Sequence, residues 1–252
     1  MPRVFEYNLG VPAEDIERYR PGGYHPVYLN DSLKEGRYQI LNKLGFGAFS
    51  TVWLARDLAE ERNVSIKVVV PEKSAGDNNE LKILKHLLNC RDGAGSENVL
   101  HMLDEFYVDG PNGRHLCIVF DVLGALVEDG EEDLEIVVRG GQVSPWGGGC
   151  LWWYGLLSML HTFQSVTTDT ENHADLFRAS YPENMSPAAI VERFGEPTTG
   201  AVTRKDGQPL GVGIPEYQVL PIRYGKQDLL DLGVDCVQLI DFWECIMFLC
   251  FR

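Results

Sequence analysis

"KLGFGAFSTVWLARD", Lys43–Asp57, decides how the rest of the chain is read. Gly45 and Gly47 fall between two segments of strand character, "YQILNKLG" before and "STVWLARD" after, and "NVSIKVVV" (Asn63–Val70) adds a third. β-branched and alternating residues with turn-forming breaks between them predict consecutive antiparallel strands. Phe49 stands just past the glycines, and Val52 opens the return strand. Glycines at a hairpin tip let backbone N–H groups approach a phosphate with no side chain in the way. The pattern G-x-G-x-x-S, with Ser50 in third position, is not specific alone, because glycines punctuate hairpins of every kind. A dinucleotide-binding turn is disfavoured, since it would open a helix where a strand follows here.

Working outward, "VSIK" ends in Lys67, and strand alternation puts that lysine on the face opposite Ile66 and Val68. A lysine between aliphatic residues is most often just exposed on its strand. In a nucleotide site it would bridge the α- and β-phosphates instead. "DNNELKILKHLL" (Asp77–Leu88) predicts a helix, with Leu81, Leu84 and Leu88 on one stripe widened by Ile83 and Leu87. Glu80 opens that helix. Asp77-x-x-Glu80 has capping-box spacing, which explains the glutamate without catalysis. The other reading is an ion pair that orients Lys67. Val99–Val108 and His115–Val122 read as two more strands joined by the hairpin turn "DGPNGR".

Residues 1–35 are polar, with turn signals at "PGGYHP" (Pro21–Pro26), and Glu128–Glu135 is an acidic surface stretch. Residues 136–172 mix glycines and tryptophans without a clear period. Ser186 predicts a helix N-cap, Pro187 fits the first turn, and Gly195 is a stop after Phe194. Strands, one helix, more strands and then helical signals predict an α+β chain. The hydrophobic share of 44% and charged share of 23% over 252 residues fit a soluble globular protein, without an apolar run long enough for a membrane helix. The start lacks the order of a signal peptide, and Cys90, Cys117, Cys150, Cys236, Cys245 and Cys250 show no C-x-x-C spacing, so reduced thiols in an intracellular protein are expected. A net charge of −15 opposes binding to bare nucleic acid and suits a cationic partner such as an arginine-rich peptide.

The order of glycine hairpin, V-x-I-K strand, Glu-bearing helix and "HLCIVFDVLG" resembles the N-terminal lobe of a eukaryotic protein kinase. More narrowly, "GGYHPV", "GRYQILNKLGFGAFSTVWLARD", "ELKILKHL" and "GPNGRHLCIVFDVLG" resemble the SR-protein kinase family, in a fungal-type branch, from about Tyr19 to Gly124. Ser50 then becomes support, because that family carries F-S-T-V-W-L here. The resemblance implies an N-terminal extension over 1–36 and an antiparallel-sheet N-lobe with one main helix over 37–124. Over 125–252 it implies an incomplete, mostly helical C-lobe with a family insertion. It further implies ATP and Mg²⁺ as cofactors and Arg/Ser-rich proteins as substrates, with no membrane partner, a monomeric state and a cytoplasmic or nuclear location. Gly45, Phe46, Gly47, Ser50 and Val52 would line the ATP cleft, Lys67 would meet the phosphates, and Glu80 would orient it. Phe120 would be the gatekeeper, with Asp121 and Leu123 in the hinge.

Past Gly124 the resemblance is fragmentary. "HADLFRAS" offers Asp175 as the catalytic-loop acid, but Ser180 stands in the metal-binding asparagine's place. "TTDTEN" offers Asp169 and Asn172 in the right order at closer spacing. "VERFGEP", "RKDGQPL" and "GIPEY" resemble the fungal branch's insertion. Asp241, after "VQLI", would be the metal-holding aspartate, with Trp243 where the family has a glycine able to take φ > 0. The chain closes on "ECIMFLCFR" without an activation segment, so a catalytically impaired binding module is the alternative function. A missed splice or a frameshift would account for both 136–172 and this tail.

Overall fold

The computed structural model describes residues 6–74, 78–88, 101–122, 176–179, 185–222 and 234–238. The chain divides into two compact units, one from Met1–Asn78, Met102–Val122 and Pro182–Arg223, the other from Asn79–His101, Leu123–Tyr181 and Tyr224–Arg252.

The first unit is built on a six-stranded antiparallel sheet. Its strands are β2 (Ser32–Leu33), β3 (Tyr38–Gly47), β4 (Ser50–Asp57), β5 (Arg62–Val69), β6 (Met102–Gly110) and β7 (Gly113–Phe120), in the order β2-β3-β4-β5-β7-β6. The antiparallel sheet expected for this part of the chain is therefore present, with strand ends shifted by a few residues. Alternation explains the core. Trp53 and Ala55 of β4, Val64, Ile66 and Val68 of β5, and Cys117 and Val119 of β7 all point to one face and pack with Tyr38 and Ile40. Ile40, Val64, Ile66 and Val119 are fully buried, and each such side chain contributes about 1.5–3 kcal/mol relative to exposure. Lys67 lies on the opposite face, as its place between Ile66 and Val68 predicts. Gly110 pairs with Gly113 across the Pro111-Asn112 turn, which is the expected hairpin.

Two bulges in β3 break the simple alternation. Ile40 faces Ala55 but Asn42 faces Leu54, and Lys43 faces Trp53 but Gly45 faces Val52. Each bulge sets an extra residue into β3 and reverses the parity of the residues beyond it. The first turns Lys43 to the core face with Trp53. The second returns Gly45 to the face shared by Val52 and Lys67, since residues directly opposite across a ladder project to the same side.

A separate three-stranded sheet, ordered β1-β9-β10, belongs to the same unit. It joins β1 (Tyr7–Leu9), β9 (Thr199–Arg204) and β10 (Tyr217–Val219). Val219 enters the six-stranded sheet's core, and Ile222 N–H donates to Lys43 O at 2.9 Å. Pro182–Arg223 thus groups with the strands it was separated from in sequence, rather than with the rest of 125–252. The short helix α1 (Pro71–Ser74) leaves β5, and Ser74 Oγ accepts from Leu116 N–H at 2.9 Å. Helix α3 (Pro187–Phe194) begins and ends as expected. Ser186 Oγ accepts from Ala189 N–H at 3.2 Å, and Gly195 stops the helix at φ +80 with its N–H on Val191 O.

The second unit contains α2 (Asn79–Leu88) and an antiparallel pair, β8 (Leu176–Ala179) with β11 (Val234–Gln238). Glu80 sits in the first turn of α2 and is buried, as are Ile83 and Leu84. No helix among the described residues is long and apolar enough to cross a membrane.

Candidate functional site

The β3–β4 hairpin turns through Ala48 and Phe49, with Gly47 opposite Ser50. Neither Gly45 nor Gly47 has a positive φ, and a Cβ built on either meets nothing within 4 Å. The backbone conformation therefore does not require glycine, and neither does packing. What remains is the space itself: the region over the hairpin at both positions is open. Phe46 and Phe49 are exposed at the tip, while Ser50 is buried at the start of β4.

Register carries the glycine face across the sheet. Gly45 lies opposite Val52, Val52 opposite Lys67, and Lys67 opposite Ile118. Two strand spacings, about 10 Å, separate the Gly45 and Lys67 backbones. Glycine and lysine thus share one level of one face.

At the far end of β7, Phe120 faces Ser65 on β5 and Met102 on β6. Ser65 Oγ donates to Asp121 O at 3.0 Å, and Arg62 Nη1 lies 3.3 Å from Asp121 Oδ1. These contacts hold the strand exit where the hinge was expected.

Two contacts with the hairpin come from residues that sequence reasoning left in a polar extension. Tyr24 Oη donates to Gly47 O at 2.7 Å. Lys43 Nζ donates to both carboxylate oxygens of Glu14 at 2.5 Å, and both side chains are almost fully enclosed. Tyr19 Oη donates to the same carboxylate, and the Lys43 ammonium lies 4.8 Å from the Trp53 ring centroid. Burial pushes the Lys43 pKa down, opposed by the Glu14 charge, and pushes the Tyr19 hydroxyl well up, with Glu14 adding to it. The only hint in the sequence was the "GGYHPV" segment, which carries Tyr24.

The remaining expected residues divide in two. Glu80 is described, but in the second unit. Leu123, Asp169, Asn172, Asp175, Ser180, Asp241 and Trp243 lie outside the described residues, as does Asp77. Leu176–Ala179, which follow Asp175 in the motif match, form β8. Among the described residues no group of three or more His, Cys, Asp or Glu side chains is placed to hold a metal ion.

Comparison with known proteins bears on what this hairpin belongs to. Serine/threonine-protein kinase SKY1 of Saccharomyces cerevisiae is 40% identical over 117 residues, 44% of this chain and 16% of its own. Protein kinase dsk1 of Schizosaccharomyces pombe is 44% identical over 117 residues, 44% of this chain and 21% of its own. The chain is a homologue of the SR-protein kinases over about half its length. SRSF protein kinase 3 of Homo sapiens extends the same likeness, at 44% identity over 133 residues, 49% of this chain and 23% of that protein. The chain thus spans less than a quarter of the length of each of these three relatives. No family model matches it.

Proposed function

We propose that this chain carries the nucleotide-binding part of a serine/threonine protein kinase of the SR-protein kinase type. The transfer would move the γ-phosphate of ATP to a serine in Arg/Ser-rich proteins. One observation carries the reading: Gly45, Val52 and Lys67 lie on one register line, with the glycine positions open to a ligand. Gly45 and Gly47 carry no side chain, so the backbone N–H groups of the tip around Phe46 and Ser50 would be open to a triphosphate. Lys67 would hold the α- and β-phosphates, with Glu80 as its orienting partner, and Phe120, Asp121 and Leu123 would meet the adenine. Asp241 would hold Mg²⁺, which would supply positive charge to offset that of the phosphates. Asp175 would position the substrate hydroxyl, with Asp169 and Asn172 as the competing pair. The strand at Leu176–Ala179 supports that pair, because a catalytic loop needs irregular backbone where β8 is extended.

The net charge of −15 supports a cationic protein substrate. Action in the cytoplasm or nucleus on proteins of mRNA splicing belongs to the same proposal. A second reading, a kinase-like module that binds nucleotide or a partner without turnover, is favoured by Ser180 and by Trp243 at a position where a glycine would allow the segment to turn. Thermal shift with ATP–Mg²⁺, followed by phosphate transfer onto an Arg/Ser peptide, separates the two. Binding with transfer supports the kinase, and binding without transfer supports the module. A wild-type chain that binds no ATP overturns both nucleotide readings.

A further inference from the structure

The hairpin tip is anchored from outside its own sheet. Its Gly47 carbonyl accepts the Tyr24 hydroxyl at 2.7 Å, a contact from a segment that contributes no strand to the glycine face. The trans peptide makes the consequence directional. C=O and the next N–H point in opposite directions across a planar trans unit, so holding Gly47 O toward Tyr24 turns the Ala48 N–H the other way.

Tyr24 is itself held firmly. Its ring meets Tyr19 edge-on at 5.5 Å between centroids, and the Arg18 guanidinium lies 4.7 Å from its centroid. Asn112 Nδ2 donates to Tyr24 O at 2.7 Å, fixing the backbone as well. Tyr19, in turn, donates to Glu14, and Glu14 grips Lys43 near the root of the same hairpin. Residues 14–24 therefore touch β3 at both ends of its glycine stretch, at Lys43 through an ion pair and at Gly47 through a hydroxyl.

We propose that Tyr24 is a positioning residue for the glycine hairpin. Its hydroxyl sets the orientation of the Gly47–Ala48 peptide, and with it the direction in which the tip offers its backbone donor to a phosphate. The phosphate half of this statement rests on the nucleotide reading above, whereas the ordering of the tip does not. A hydroxyl-only change is the suitable perturbation, because phenylalanine keeps the ring contacts with Tyr19 and Arg18.

The test uses the full chain and its Tyr24→Phe variant, with ATP–Mg²⁺ and adenosine as probes and amide hydrogen exchange at Gly47–Ser50 as a ligand-free readout. The expected result is about three- to tenfold weaker ATP–Mg²⁺ binding, adenosine affinity unchanged, and faster tip exchange with β5 amides unaffected. Tyr19→Phe, which removes a hydroxyl that does not touch the hairpin, should spare tip exchange. Equal losses for ATP and adenosine, or a variant that fails to fold, would make Tyr24 a general stability element and overturn the proposal. Wild-type ATP affinity and tip exchange in Tyr24→Phe overturn it too, and leave the nucleotide reading standing. Loosened tip amides in a protein that binds no ATP even as wild type uphold the anchor and remove the nucleotide reading alone.

Discussion

Glu14→Ala should be among the most damaging single substitutions available in the first unit. It leaves the Lys43 ammonium enclosed beside Trp53, with side-chain exposure of 1%, and takes the acceptor from the Tyr19 hydroxyl. Removing one partner of a buried ion pair costs about 3–5 kcal/mol, because the remaining charge is left without compensation. Domains of ordinary stability have about 5–15 kcal/mol in all, so the variant should lose about a fifth of that or more. The deficit should also depend on pH in a definite direction. Burial depresses the folded-state pKa of Lys43, and without Glu14 the opposing attraction is gone. The folded chain then binds fewer protons than the unfolded chain, and stability rises with pH through the window between the depressed folded pKa and the ordinary lysine value. Urea denaturation between about pH 7 and about pH 10 should therefore show the Glu14→Ala deficit shrinking as pH rises. Glu14→Leu combined with Lys43→Met should recover most of the loss, because no charge is then left buried. A deficit below about 1 kcal/mol, or one that stays constant across that range, would show that the pair is solvated and that the N-terminal segment does not clamp β3.

Gly45→Val and Gly47→Val should leave the folded state within about 0.5 kcal/mol of wild type by urea denaturation, since their Cβ positions are open, while ATP–Mg²⁺ affinity falls tenfold or more. Gly213→Ala should behave oppositely. Its φ is +88 and a Cβ would run into the Asn112 side chain, so about 1–3 kcal/mol of stability should be lost, measured by the same titration. Lys67→Ala should abolish the ATP–Mg²⁺ thermal shift while keeping the sheet's far-UV circular dichroism. Burial, assisted by the neighbouring His115, pushes His25 down to about 4, so the folded state resists protonation that the unfolded chain accepts. Stability should then fall as pH drops from about 6.5 to about 4, with a slope of at most about 1.4 kcal/mol per pH unit from this group, and His25→Gln should flatten it in urea titrations.

Local chemistry made several elements legible in advance. The alternation in "NVSIKVVV" encodes which side of β5 is apolar, and Lys67 is on the other one. Ser186, Pro187 and Gly195 mark the ends of α3 because a helix terminus needs a cap, a fixed φ and a residue that tolerates a positive one. The kinase-like motifs pointed to the same family as the relatives, whose likeness covers 44% and 49% of this chain for two of them. Other features depend on partners distant in the chain. "YQILNKLG" gives no local sign of its bulges, which arise when β3 is fitted to β4 and which turn Lys43 to the core and set Gly45 opposite Val52. Glu14 and Tyr24 lie in a turn-rich polar stretch, and nothing near them announces that one will neutralise Lys43 and the other bond to Gly47 O. Tyr217–Val219 likewise reaches β9 and the sheet's core after a long excursion of chain. Periodicity, capping and turn formation act between near neighbours, so they are written into short segments. Parity at a bulge, a buried counter-ion and a carbonyl's outside donor come into being only when separated segments close on each other.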